Sequence, residues 1–82
     1  MTVSYANKHF DMTELVDMLG QSLGDDKARE VLASHARRKR YGDGPFDVDQ
    51  ALELLESITH EPGIVGTTAR FAKSRIHLLA LG

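Results

Sequence analysis

Two stretches of the chain open alike: FDMTELVDML at 10–19 and FDVDQALELL at 46–55. Each sets a phenylalanine and an aspartate directly ahead of apolar residues at helical spacing. Asp11 is placed to accept hydrogen bonds from the free N–H groups of a starting helix, and Glu14 can reach back to close a capping box. Phe10 before the cap and Leu15 at the fourth helical position are the two halves of a hydrophobic staple. Met12, Leu15, Val16, Leu19 and Leu23 then recur on one face. They predict a helix over 12–22, stopped by Gly24 in a left-handed conformation. In the second stretch Asp47 is the cap, Gln50 completes the box and Phe46 staples to Ala51. Val48, Ala51, Leu52, Leu55 and Ile58 form the stripe of a helix over 48–60. Pro62-Gly63 ends it, because the residue before proline avoids helical geometry. Shared helix-start chemistry accounts for the likeness of the two stretches; two helical hairpins related by an approximate twofold are the alternative.

A second helix follows each of these. Asp25 and Asp26 suit the positive end of one helix dipole, and Arg37, Arg38, Lys39 and Arg40 suit its negative end. Ala28, Val31, Leu32, His35 and Ala36 form the apolar stripe between them. YGDGPF at 41–46, with two glycines and a proline, reads as a loop. The last helix, over 64–80, has a main stripe of Val65, Ala69, Ala72, Ile76 and Leu79. Ile64, Phe71 and Leu78 form a second line at every seventh residue. At about 100° per residue the two lines span nearly half the circumference. A helix that apolar sits centrally, lends one side to another chain, or does both. The expected fold is all-α: a compact bundle of about four short helices over 10–82, behind a flexible or extended lead-in at 1–9.

Composition narrows the function. A chain of 82 residues is one domain. Folding at this length buries only about 60–65% of the unfolded chain's surface, so a second copy or partner domain adds useful stability. An apolar share of 41% beside 27% charged residues fits a globular chain rather than a disordered one. With no cysteine, disulfides and thiol chemistry are excluded. The amino-terminal residues lack the apolar run of a signal peptide, and no stretch reaches the roughly 18 apolar residues of a membrane span. The expectation is a cytoplasmic protein without a membrane partner.

Net charge is −2 but unevenly placed. Segment 43–62 holds Asp43, Asp47, Asp49, Glu53, Glu56 and Glu61 with no lysine or arginine, whereas 63–82 holds Arg70, Lys73 and Arg75 with no acid. Neighbouring segments attract one another within a bundle, and the same patches can match between two molecules.

Chemistry is sparse. His9, His35, His60 and His77 lack the close spacing of a zinc site, so no metal and no cofactor is expected. His35 reads as a hydrogen-bonded histidine at the core edge. No nucleophile motif surrounds any serine, and Thr67-Thr68 reads as a plain helix start, with anion binding at the free N–H groups of Ile64, Val65 and Gly66 as the alternative. The chain is expected not to be an enzyme. The basic run Arg37, Arg38, Lys39 and Arg40, followed by Tyr41, is the one feature that invites nucleic acid, through phosphate contacts and stacking.

The pieces Leu23-Gly24 with Ala28-Arg29, Ala51-Leu52 with Leu55, Pro62-Gly63-Ile64-Val65-Gly66 and Ala69-Arg70-Phe71-Ala72-Lys73 cover about half the chain. They are similar to small helical segments attached to bacterial signalling and transcription-control proteins. The resemblance implies a regulatory accessory role and brings no catalytic residue. The expected function is therefore a protein–protein interaction or homodimerisation module in bacterial regulation or signal transduction. Its interface would run through Ile64, Phe71, Arg75 and Leu78, against a second copy or another protein. The alternative is a small nucleic-acid-binding or transcription-regulating protein using the 37–40 run.

Overall fold

A computed structural model describes residues 9–81. Among them the order is β1 (His9–Phe10), α1 (Met12–Leu23), α2 (Asp25–Arg38), β2 (Phe46–Asp47), α3 (Val48–Thr59) and α4 (Gly63–Leu81). The all-α bundle of four helices expected from the sequence is present, and its helices pair as two hairpins, α1 with α2 and α3 with α4.

Both capping boxes form. The Asp11 carboxylate accepts from the Glu14 N–H at 2.9 Å, and the Asp11 N–H donates to Glu14 at 3.1 Å. Asp47 and Gln50 repeat this at 2.8 Å and 3.1 Å. Phe10, Leu15, Phe46 and Ala51 are all buried, as two closed staples require. The two Phe-Asp stations also pair with each other. β1 and β2 run antiparallel, with Phe10 opposite Phe46 and His9 opposite Asp47. Two-residue strands leave no alternation to read, so this clasp has no signature in the spacing of residues. His9 belongs to it rather than to the lead-in; the rest of the lead-in, 1–8, lies outside the described residues.

A single residue joins α1 to α2. Gly24 has positive φ as expected, but its φ of 83° and ψ of 151° are extended rather than left-handed helical. Almost only glycine occupies that region. Its N–H donates to the Gly20 carbonyl at 2.8 Å, and its own carbonyl accepts from Ala28 at 3.0 Å. One residue thus closes one helix and opens the next.

The core fills the space between the hairpins with Leu15, Leu19, Leu32, Phe46, Leu54, Leu55, Ile58 and Ile76, all fully buried. Each stabilises the fold by about 1.5–3 kcal/mol. Two assignments to apolar stripes need correction. Leu54 is buried although the stripe drawn for α3 omits it; α3 packs on α4, on α2 and on the clasp, so its covered face is wider than one line. Leu79, drawn on the inner stripe of α4, is 47% exposed. With 19 residues against 12 in α3, α4 outruns its neighbour, and Leu79 lies in the overhang. Among the described residues, no helix is long and apolar enough to cross a membrane.

Candidate interaction surface

The position of α4 is set at its first turn. Gly63 has φ 69°, so the chain reverses directly after Pro62. A side chain at Gly66 would place its Cβ 2.2 Å from the Glu61 carbonyl oxygen and 2.7 Å from that of Thr59. Only glycine lets α4 lie this close to the end of α3. Ala69 and Ala72 continue the close approach, and Ile76 completes the buried side. Thr68 is buried as well, and the Thr67 hydroxyl donates to the Gly63 carbonyl at 3.3 Å. The two threonines therefore serve the helix start.

The opposite side of α4 is uncovered. Ile64 is 61% exposed, Phe71 68% and Leu78 71%. Seven residues are nearly two turns, so the three fall within about 40° of one another on the helix. Arg75 is also exposed and lies about 40° from Phe71 on the same face. The four residues predicted to form an interface thus share one surface. On the other flank Arg70 and His77 line a cleft of about 490 Å³ between α3 and α4, together with Glu56, His60 and Lys73. Lys73 pairs with Glu56 across this cleft, and His60 reaches the same carboxylate at 3.6 Å. The Lys73 hydrogen bond holds the Glu56 carboxyl below its ordinary range.

The basic run ends α2. Arg37 and Arg38 are exposed on its last turn, Lys39 is half-buried and caps it, and Arg40 leaves with φ 62°. The Tyr41 N–H donates to the Ala36 carbonyl at 2.9 Å. Tyr41, the ring expected to be available for stacking on a base, is half-buried. It tilts against Phe46 at 6.4 Å and donates its hydroxyl to Glu53 at 2.7 Å. That hydrogen bond, with burial and the charge of Glu53, pushes the phenol up to about 12. Tyr41 is thus held against acidic α3.

His35 is 3% exposed. Its Nε2 lies 2.7 Å from Glu61 Oε2 and its Nδ1 2.8 Å from Ser57 Oγ. A carboxylate only accepts, so Nε2 carries a proton, and the Ser57 hydroxyl can donate to neutral Nδ1. The same bond holds the Glu61 carboxyl below its ordinary range, aided by Arg38 and Lys27 and opposed by partial burial. This chain ties α2, in one hairpin, to α3 and the turn before α4 in the other. Ser57 lies inside α3, where backbone N–H groups are engaged in the helix, so the hydroxyl has no adjacent donor pair for an oxyanion. The place of His35 on the apolar side of α2 points to a bonded histidine, but no local spacing connects it to Ser57 or Glu61. Among the described residues, no group of three or more His, Cys, Asp or Glu side chains could hold a metal ion.

The chain matches no protein-family model, no curated protein and no solved structure.

Proposed function

We propose that this chain is a non-enzymatic protein–protein interaction module of bacterial regulation or signalling, acting in the cytoplasm, with the outer face of α4 as its docking element. One observation carries the proposal: Ile64, Phe71 and Leu78 form an aligned row of exposed apolar side chains, about 10.5 Å apart, on a helix whose other side is buried. Isolated exposed apolar residues are common on monomers, whereas an aligned band with an aromatic at its centre is the usual anchor of an interface. The resemblance of the Pro62–Lys73 region to accessory segments of bacterial regulators supports the setting.

Phe71→Asp and Leu78→Asp test it. Both positions are exposed, so the fold is retained while the apolar line is broken. Sedimentation across a concentration series reads self-association. Co-purification from a producing bacterium, with wild type and variants as bait, reads other partners. Loss of a complex in either measurement is expected. Unchanged sedimentation together with an unchanged set of bound proteins removes the docking element.

A further inference from the structure

Resting on that docking role for α4, we propose that the partner is an amphipathic helix whose apolar stripe is flanked by carboxylates. The charge around the apolar line points to it. α4 carries Arg70, Lys73 and Arg75 and no acidic residue. Lys73 is turned to the inner side and paired with Glu56. Arg75 adjoins the apolar line on one side, and Arg70 and His77 lie about 100–120° from Phe71 on the other, beyond Thr67 and Ser74. Neither Arg70 nor Arg75 forms a hydrogen bond or ion pair among the described residues, while the charge of Arg70 helps to lower the Glu56 carboxyl across the cleft. Beside Arg70 the surface falls into the cleft of about 490 Å³, which gives a carboxylate of a docked helix room to reach the guanidinium. A partner helix laid along Ile64, Phe71 and Leu78 therefore meets positive charge on both edges.

A second copy fits this surface less well. Antiparallel pairing of two α4 helices about Phe71 sets Ile64 against Leu78 of the other copy, but it also brings the two Arg70 side chains almost level with each other, about 3 Å apart along the axis, with no acidic residue on either α4 to separate them. The acidic face of a second copy's α3, bearing Asp49, Glu53 and Glu56, has no exposed large apolar residue to cover Phe71. An anionic membrane also suits a basic amphipathic helix. Here the exposed apolar line is narrow and gives little area to bury in a bilayer surface.

The test uses two labelled helical peptides, each with leucine at the a and d positions of four heptads. One has glutamate and the other lysine at e and g. Anisotropy titrations against the full chain should show at least tenfold tighter binding of the glutamate peptide in about 50 mM salt, and a smaller preference in about 500 mM salt. Arg70→Glu with Arg75→Glu should reverse the preference, and Phe71→Asp should weaken both peptides. Equal binding of the two peptides, still lost in Phe71→Asp, overturns the acidic partner while leaving the docking surface standing. Binding that ignores Phe71→Asp overturns both. Failure of both peptides, with a Phe71-dependent dimer or with Phe71-dependent binding to phosphatidylcholine–phosphatidylglycerol vesicles, assigns the face to a second copy or a membrane and overturns the acidic helix.

Discussion

Gly20→Ala and Gly66→Ala make the same chemical change in two helices, and helix propensity alone predicts the same gain of about 1 kcal/mol for each. The structure separates them. A Cβ on Gly20 comes within 2.5 Å of Asp25 Oδ1, the tip of an exposed side chain that can rotate away. A Cβ on Gly66 comes within 2.2 Å and 2.7 Å of two main-chain carbonyl oxygens. Neither oxygen can retreat unless α4 lifts from the end of α3. Overpacking of this kind costs about 1–3 kcal/mol, and contact with main chain places it at the upper end. Set against the propensity gain, Gly66→Ala destabilises by about 2 kcal/mol while Gly20→Ala stabilises by up to about 1 kcal/mol. In a domain of this size 1 kcal/mol moves the melting temperature by about 4–8 °C. Calorimetry should place Gly66→Ala roughly 8–16 °C below wild type and Gly20→Ala a few degrees above it. If the two variants shift together, or Gly66→Ala melts with wild type, the close approach of α4 to α3 is wrong, and the placement of the exposed apolar line goes with it.

Replacing Gly24 by alanine forces a residue with a Cβ into a region reserved for glycine, and urea unfolding should show a loss of about 1–3 kcal/mol. Substituting His35 by alanine removes its hydrogen bonds to Ser57 and Glu61 and opens a cavity; a loss of about 2–3 kcal/mol is expected by the same method, with Ser57→Ala losing about 1 kcal/mol. The lowered Glu61 pKa means that its contribution to stability is complete above the ordinary carboxyl value of 4.5 and fades as pH falls through the lower folded value. Acid unfolding of Glu61→Gln should therefore depend less on pH below about 4.5 than wild type; identical acid profiles would contradict the His35–Glu61 bond. Ultraviolet titration should show a phenolate appearing near pH 12 that is missing in Tyr41→Phe.

The helix starts were legible because capping is local: Asp11 with Glu14 and Asp47 with Gln50 each lie within one turn, and the chemistry that selects them acts at that range. The outer line of α4 was legible for a related reason. A seven-residue repeat stays on one face whatever the helix packs against, and three residues on that line proved exposed. Contacts between hairpins were not legible. Phe10 opposite Phe46, and His35 between Ser57 and Glu61, depend on how two hairpins dock, and no spacing along the chain encodes that. Leu79 shows the limit of periodicity: its phase on α4 is right for burial, but the neighbouring helix has ended before it arrives.

The clasp between the two Phe-Asp stations also bears on the order in which the molecule assembles. Each helical hairpin joins neighbours in sequence, so its contacts form across short loops with little entropic penalty. Phe10 and Phe46 meet only when the two halves have come together. Side-chain truncation at Phe10 should consequently accelerate unfolding far more than it slows refolding.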